Sequence, residues 1–350
     1  MKKILLAVVI LFFVSVYYLF ARDVSLERDV VITDNYYFSN FLNDLGKKDS
    51  LSFYIYFLLS GKEQPQPKDG FYSFDGVYSK SEVIKKFEEG PQTKEVNITI
   101  LEGRGMYDID YYLSVLGFIE SGSFVDYVTD QSVIKSYEEY YTFLQNLGED
   151  KIKSFEGFLY PDTYTIDISS GDIIRQVVIN QLNNFELGIW EDRKNEFLYF
   201  SERLNNLGYN LELSVYEIIT LASIIEKEEN YNPNKNKIAG IFLNRLASNC
   251  QNIFRLDADI SLCYGLGESY RTCTVDQIVS HLNDSSNPYN TRQNRGLTPT
   301  PIASPSSATL NAVLDFEETN DCYYLHDNSG ALHTSQTLQE HNYLRSQYLN

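Results

Sequence analysis

The sequence predicts an α+β protein with a single N-terminal transmembrane helix, a small α+β module and a larger mixed α+β domain. An uncharged apolar run follows the first three residues, short strand-like and helix-like stretches alternate before residue 105, and helical periodicity with clear start signals follows residue 151. The 350 residues are 43% hydrophobic and 22% charged, which is a globular composition with enough apolar area for a core.

The N-terminal helix is predicted from residues 4–21, which are uncharged and mostly apolar. This run is at the short end of the roughly 20 residues that span a bilayer as a helix. Lys2 and Lys3 favour an N-terminus kept inside, so that the rest of the chain lies outside. A cleaved signal peptide is the alternative, although Leu19 before Ala21 fits a cleavage site poorly. Both interpretations predict export, and the first places the protein in the cell (inner) membrane with a single pass and an extracytoplasmic domain.

The segments after the anchor are predicted from local patterns. Residues 51–59 are rich in strand formers, aromatic residues alternate over 71–78, and residues 96–100 alternate as a strand. Residues 81–87 read as a short helix capped by Ser79 or Ser81, and residues 106–150 as mostly helical. The predicted segments are 1–3 (cytoplasmic N-terminus), 4–21 (anchor), 22–50 (juxtamembrane), 51–105 (small module), 106–150 (helical connector) and 151–350 (large domain).

Charge and cysteine content restrict the function further. The formal net charge of −19 and the pI near 4.6 argue against nucleic-acid binding, because such a surface repels phosphate backbones. Cys250, Cys263 and Cys273 lie close enough in sequence for one disulfide among them, with free buried thiols as the equal alternative. Cys322 and the histidines after it match no familiar zinc spacing, so neither a metal nor a cofactor is predicted.

One helix carries a candidate catalytic acid. Ser214 and Glu217 form a capping box at its start. Residues spaced by four, three and four then share one face: Val215, Ile219, Ala222 and Glu226. A carboxyl group at the edge of an apolar stripe loses hydration, which favours the neutral form that a general acid of glycoside cleavage requires. The alternative is a helix-end carboxylate that leans into water, and spacing alone does not decide between them.

Several segments resemble one family in its own order. Residues 221–228, LASIIEKE, resemble the signature helix of the endolytic murein transglycosylase family, the YceG-like proteins. Five further blocks resemble family blocks: residues 156–164 (EGFLYPDTY), 238–246 (IAGIFLNRL), 256–265 (LDADISLCYG), 288–303 (PYNT, then GL and PIA) and the closing 333–342. The module at 51–105 stands where the family has a LysM-like subdomain.

The resemblance implies a function and a set of site residues. Glu226 would protonate the oxygen of a MurNAc–GlcNAc bond in nascent peptidoglycan and then take the proton of the MurNAc C6 hydroxyl, leaving a 1,6-anhydro end and limiting strand elongation. The implied partners are peptidoglycan glycan strands and cell-wall synthases. The implied substrate-binding residues, each with a structural role as its alternative, are Glu156, Tyr164, Asn244, Asp259, Tyr289, Asn290 and Thr291.

The chain departs from the family pattern at several positions. Arg292 replaces a tyrosine, Thr298 a proline and Ser306 a glycine, and the block at His333 is one residue shorter. We expect these changes to affect the far wall of a substrate groove and to leave the Glu226 helix untouched. Two other functions stay open: a lysozyme-like hydrolase that pairs Glu226 with Asp259 or Glu156, and a non-catalytic wall-binding scaffold.

Overall fold

The chain folds into two compact units that contain both helices and strands, which confirms the α+β class. The computed structural model describes residues 2–32, 37–68, 70–91, 94–147, 152–229, 231–250, 253, 255–267 and 272–349. One unit comprises Met1–Asn97 and Thr165–Ile173, and the other comprises Ile98–Tyr164 and Ile174–Asn350. Met1 and the predicted boundary between residues 150 and 151 lie outside the described residues, and the predicted segment limits stay predictions.

The first unit is built on an antiparallel strand pair. Strands β1 and β2 pair over nine residues each, from Val24 opposite Tyr78 to Ile32 opposite Gly70. The elements in chain order are α1 (Lys2–Ala21), β1 (Val24–Ile32), α2 (Phe38–Asn43), α3 (Lys47–Ser60), β2 (Gly70–Tyr78), α4 (Lys80–Glu89) and β3 (Glu95–Thr99). Strand β3 pairs with β4 (Thr163–Asp167), and the division between the units falls within both strands.

An aromatic cluster forms the core of this unit and explains one wrong prediction. The rings of Phe38, Phe41 and Phe87 meet at centroid distances of 5.0 to 5.5 Å, and Phe53 of α3 is fully buried against them. Residues 51–59, predicted as a strand, are therefore part of helix α3. Strand propensity is context-dependent, and here packing of Phe53 into the core overrides it. The predicted cap of α4 is confirmed at Ser79, whose side chain accepts from the Glu82 backbone N–H.

The prediction of an N-terminal transmembrane helix is wrong. Helix α1 covers Lys2–Ala21, but no helix among the described residues has the length and apolar character that crossing a bilayer demands. The apolar run in the sequence, at residues 4–21, is already below the roughly 20 residues that usually span the hydrocarbon core. The fold class is therefore corrected to α+β without a spanning helix in the described chain.

The second unit is mostly helical and carries all the predicted site residues. Its elements are α5 (Met106–Val115), α6 (Ser123–Thr129), α7 (Gln131–Tyr137), α8 (Thr142–Gln145), α9 (Ile173–Phe185), a π-helical turn (Glu186–Trp190), α10 (Glu191–Leu198), α11 (Phe200–Asn206), α12 (Val215–Glu228), α13 (Asn232–Leu246), α14 (Ile260–Gly265), α15 (Val275–His281), α16 (Ser307–Leu314), β5 (Tyr323–His326), β6 (Leu332–Ser335) and α17 (Leu338–Tyr348). Helices α5 to α8 lie in residues 106–147, the described part of the segment 106–150 that was predicted to be mostly helical.

Helix α12 lies at the centre of this unit. The predicted capping box is present, since the Ser214 backbone N–H donates to Glu217 Oε2 over 2.9 Å and the Ser214 hydroxyl accepts from the Glu217 N–H. Side chains all round the helix are buried, as expected for a helix enclosed by others. Helices α13 and α16 both pack against it. Its last turn, with Glu226, is thereby fixed against two neighbouring helices.

Two disulfides close loops in the second unit. Cys250 bonds to Cys322, which joins the chain after α13 to the chain before β5, and Cys263 bonds to Cys273, which joins α14 to the chain before α15. The second bond lies among the three neighbouring cysteines for which one disulfide was an open alternative. The other alternative, free thiols, is wrong for all four.

Candidate active site

The Glu226 side chain is held by donors from two other helices. It is 8% exposed, and its Oε2 accepts from Lys235 Nζ at 3.2 Å, from the Ser306 backbone N–H at 3.1 Å and from the Ser306 hydroxyl at 2.8 Å. The Thr309 hydroxyl is the fourth donor. Within the described residues no donor reaches Oε1, so the exposed part of the carboxyl group lies on the Oε1 side. Oε2 is therefore held by hydrogen bonds, whereas Oε1 is accessible to a ligand.

Lys235 was not predicted as a site residue, although its position in the sequence indicates a buried lysine. It is 1% exposed and donates to Thr309 Oγ1 at 2.6 Å as well as to Glu226. On α13 it stands three, four and seven residues before the fully buried Ile238, Ala239 and Phe242, so a lysine interrupts an apolar face. A buried ammonium requires a charged or hydrogen-bonding partner. The residue types therefore indicate a buried ion pair, and only the fold shows that the partner is Glu226.

Ser306 corrects the expectation that the departures from the family pattern leave the Glu226 helix untouched. It caps α16, and its hydroxyl accepts from the Thr309 N–H at 3.4 Å. The hydroxyl proton is then free to be donated to Glu226 Oε2. The Ser306 N–H at the start of α16 also directs the positive end of that helix towards the carboxyl group. A glycine at position 306 would keep the N–H donor and lose the hydroxyl.

For the glycan cleavage that the family resemblance implies, Thr309→Val is expected to lower the rate about tenfold and to leave KM unchanged. The substitution keeps the shape but removes the hydroxyl that links Lys235 Nζ to Glu226 Oε2, and a hydrogen bond to a charged group is worth roughly 1.5–3 kcal/mol. Steady-state kinetics on peptide-free glycan strands measures both parameters. Thr309→Ser, which keeps the hydroxyl, is the matched control and should retain most of the wild-type rate. Equal rates for the two variants would show that this hydroxyl does not position Glu226.

A second carboxyl group, Glu156, is fully buried close to the first. Its Oε2 accepts from the Met106 backbone N–H at 2.7 Å and from the Tyr264 hydroxyl at 3.1 Å. Its Oε1 is buried and has no partner among the described residues. Burial raises the pKa of Glu156 to about 7, against the opposing effects of these two hydrogen bonds and of the Lys227 charge. Glu156 is therefore largely protonated below neutral pH.

Two glycines allow both carboxyl groups to contact one loop, residues 101–105. A side-chain carbon at Gly103 would lie 3.4 Å from Glu226 Cγ, and one at Gly105 would lie 3.1 Å from Glu156 Oε2. The loop is held by two backbone hydrogen bonds, from the Gly103 N–H to Ser304 O and from the Ser304 N–H to Arg104 O.

A third glycine, Gly157, brings the turn that carries Glu156 against α12. Its φ is 90°, and a side-chain carbon there would lie only 2.7 Å from Ile219 of α12. The Glu156 turn therefore packs directly on the helix that carries Glu226.

The raised pKa predicts how stability depends on pH. The pKa of Glu156 is about 7 in the folded protein against an ordinary 4.5, so between these values the folded state holds a proton that the unfolded state has lost. The free energy of unfolding should then fall as pH rises across this window, by about 3 kcal/mol at most, and level off above it. Denaturant unfolding of wild type and Glu156→Gln at pH 5 and pH 8 isolates this contribution. An identical pH dependence in both proteins would contradict it.

Four of the predicted substrate-binding residues are buried and hydrogen-bonded to backbone carbonyl groups. Tyr164 donates to Tyr160 O at 2.5 Å, Asn244 to Thr319 O at 2.7 Å, Asn290 to Asp284 O at 2.9 Å, and Thr291 to Ala258 O at 3.0 Å. These bonds fix loops around the site. The role of the four residues in contacting glycan stays a prediction.

Besides these four and Glu156, two predicted substrate-binding residues remain, Asp259 and Tyr289, and both are at least partly exposed. Asp259 forms a two-point ion pair with Arg292, one of the departures from the family pattern, and Nη2 and Oδ2 are 2.8 Å apart. Tyr289 is partly exposed, with its hydroxyl 2.9 Å from Thr300 Oγ1. The structure brings Tyr289 next to Tyr264 and Glu156. His333, in the shortened closing block, stacks on Tyr348 and pairs with Asp327.

Comparison with known proteins identifies the family. The model of the YceG-like family matches residues 30–347. The endolytic murein transglycosylase of Bacillus subtilis (strain 168) is 27% identical over 286 residues, which cover 80% of this chain and 72% of the relative. The enzyme of that name from Streptococcus pneumoniae (strain R6) is 25% identical over 301 residues, 81% of this chain and 51% of the relative, so this chain spans about half of the pneumococcal protein. A crystal structure of a YceG-like protein from Listeria monocytogenes matches with a TM-score of 0.58 and 25% identity, over 92% of this chain and all of that one. The predicted family is confirmed, and the chain belongs to the YceG-like family.

Proposed function

We propose that this chain cleaves MurNAc–GlcNAc bonds within peptidoglycan glycan strands and leaves 1,6-anhydro-MurNAc ends. Family membership and the names of the relatives place it among the peptidoglycan lytic transglycosylases. The observation that carries the finer proposal is the Glu226 carboxyl group, with Oε2 fixed by four donors and Oε1 available. One well-placed carboxyl group can act first as acid and then as base.

In the first step, Glu226 gives a proton from Oε1 to the glycosidic oxygen, and the bond between that oxygen and C1 of MurNAc breaks. The GlcNAc end leaves with a new hydroxyl group, and positive charge develops at C1. The carboxylate that forms is stabilised through Oε2 by the Lys235 ammonium, the two hydroxyls and the Ser306 N–H, since charge-assisted hydrogen bonds are the strongest of their kind. These groups are in place before the reaction and need no rearrangement.

In the second step, the C6 hydroxyl oxygen of the same MurNAc attacks C1 and its proton passes to the Glu226 carboxylate. The ring closes as a 1,6-anhydro sugar, the enzyme regains its proton, and no water is consumed. Atoms balance because the proton lost to the GlcNAc end is replaced from C6. The same carboxyl group therefore performs both transfers, and no second carboxylate is required.

The hydrolase alternative needs a second carboxylate to activate water or to attack the sugar. Neither candidate is placed for that role. Glu156 is 0% exposed and lies behind Tyr264, and Asp259 is held by Arg292. These placements support the transglycosylase over a lysozyme-like mechanism.

The proposal also includes a place of action and a role. Both disulfides are typical of a protein that works outside the cytoplasm, where thiols are oxidised. Cuts within strands shorten them, so an enzyme acting on nascent strands limits their length. Such an enzyme would work beside the cell-wall synthases that extend the strands.

The nature of the new ends tests the proposal. The protein is incubated with un-crosslinked peptidoglycan strands, and the products are identified by mass spectrometry. Anhydro-muropeptides from internal positions are expected. Reducing ends would support the hydrolase, and intact strands that remain bound would support a non-catalytic scaffold.

A further inference from the structure

Three tyrosines form a continuous row beside the candidate active site. The ring of Tyr264 contacts Tyr107 on one side, at a centroid distance of 5.4 Å, and Tyr289 on the other, at 5.2 Å. The rings meet at 60° and 50°, so no ring face is fully covered by flat stacking on its neighbour. All three residues are partly exposed. We call Tyr107, Tyr264 and Tyr289 the tyrosine row.

Hydrogen bonds hold two of the three tyrosines of the row in position. The Tyr264 hydroxyl donates to the buried Glu156, and the Tyr289 hydroxyl pairs with Thr300. Burial raises the pKa of each of the three phenols, and the charge of Glu156 adds to the effect in every case. Glu156 is therefore a common neighbour of the row, and the phenols stay neutral. Rings held in one orientation before a ligand arrives lose little conformational entropy on binding.

The row begins next to the loop that approaches Glu226. Tyr107 follows directly on Met106, whose N–H binds Glu156, at the start of α5. The loop just before it, residues 101–105, contacts both Glu226 and Glu156 through its two glycines. The row therefore begins within four residues of Gly103, which faces the catalytic carboxyl group.

One hydroxyl group of the row has no hydrogen-bond partner among the described residues. Within the described part of the chain, the Tyr107 hydroxyl makes no hydrogen bond, whereas the other two hydroxyls are paired. A partly exposed ring with an available hydroxyl matches the two-sided chemistry of a sugar, which has an apolar face of C–H groups and a polar edge. The net charge of −19 disfavours attraction of anionic ligands over distance, so a neutral sugar fits the site better than a phosphate or carboxylate.

We propose that the tyrosine row is a subsite for an N-acetylglucosamine residue of the glycan strand, next to the bond that Glu226 cleaves. The sugar lies with its apolar face against the rings, and the Tyr107 hydroxyl pairs with its polar edge. Glu156 does not touch the sugar; it is a positioning residue that orients Tyr264. The choice of ligand rests on the proposed function, but binding to the row does not require the reaction.

Calorimetric binding in a Glu226→Gln background tests the subsite without turnover. The probes are peptide-free glycan strands and, separately, a tetramer of N-acetylglucosamine. Tyr107→Ala should weaken the binding of both about tenfold, because a ring contact is lost together with its buried area. Tyr107→Phe, which keeps the ring and loses only the hydroxyl, should weaken binding less, by about threefold, since one hydrogen bond is worth roughly 0.5–1.5 kcal/mol. Tyr199→Ala removes a tyrosine that is 61% exposed elsewhere in the same unit and should change nothing.

The outcomes separate this proposal from the proposed function. Unchanged affinity in a folded Tyr107→Ala protein, with thermal unfolding like that of its parent, overturns the subsite even if the wild type produces anhydro ends. A loss of affinity in Tyr107→Ala that clearly exceeds the loss in Tyr107→Phe supports it, even if the wild type produces no anhydro ends. Should Tyr107→Ala fail to fold, Tyr107→Leu takes its place, and equal affinity for the leucine and phenylalanine variants counts against the sugar–ring contact.

Discussion

Glu226→Gln is expected to reduce the rate of glycan cleavage by about a thousandfold, with binding of glycan strands retained. Glutamine keeps the size of the side chain and an oxygen that accepts from Ser306 and Thr309, but its amide has no proton to give to a leaving oxygen. General acid–base catalysis by a positioned side chain contributes typically about 10²–10⁴-fold. Release of soluble muropeptides, followed by chromatography, measures the rate.

The control for this substitution is Glu212→Gln, the same change at an exposed carboxylate just before α12. It should cleave at the wild-type rate. The far-ultraviolet circular dichroism of both variants should match wild type, which separates loss of chemistry from loss of fold. A Glu226→Gln protein that retains a tenth or more of the activity would mean that another group supplies the proton.

Removal of the Cys250–Cys322 disulfide is expected to lower the free energy of unfolding by about 4 kcal/mol. The bond closes a loop between positions 72 residues apart, and a cross-link of that span removes much of the freedom of the unfolded chain. Both cysteines are buried, and the loop begins four residues after the end of α13, the helix that carries Lys235. The double variant Cys250→Ser/Cys322→Ser, unfolded in urea beside wild type, measures the difference.

The other disulfide provides an internal comparison. Cys263 and Cys273 are separated by 10 residues, and the same entropy argument gives about 2.7 kcal/mol for so short a loop. The double serine variant there should therefore lose less stability than the first. Equal losses, or a larger loss for the short loop, would show that strain or packing, and not loop length, determines the contribution.

The sequence predicted the helix that carries Glu226 better than its surroundings. The capping box at Ser214 and the buried face that ends at Glu226 depend only on residues close in the chain, and both are seen. The donors to Glu226 come from α13 and from the start of α16, some 80 residues later. Which of their side chains meets Glu226 depends on how three helices pack, and local periodicity does not contain that information.

Two errors in the first unit have a similar origin. Residues 51–59 have the composition of a strand, but as α3 they place Phe53 in an aromatic core contributed by α2, β2 and α4. The apolar run at residues 4–21 predicted an anchor from its length, its composition and the lysines before it. In both cases the local pattern is compatible with more than one structure. Packing of Phe53 against distant segments determines the structure of residues 51–59, and the apolar run at residues 4–21 is too short to be assigned as a spanning helix.

Glu156 shows a subtler limit of sequence interpretation. Its family block indicated a residue of the site, and it does lie beside Tyr264 and the loop that contacts Glu226. The prediction that it lines the groove requires exposure, yet the residue is 0% exposed. The glycine at position 157 explains this, because it allows the turn to press against α12. A buried residue cannot contact glycan directly, but it can orient Tyr264 through their hydrogen bond.

The central claim is that one carboxyl group cleaves the glycan without water, and the fate of water oxygen tests it most directly. Un-crosslinked strands are digested in water labelled with heavy oxygen, and the new ends are examined by mass spectrometry. Anhydro ends without label are predicted, formed by wild type and absent with Glu226→Gln. Reducing ends that carry the heavy oxygen would show that water attacks C1 and would contradict the account.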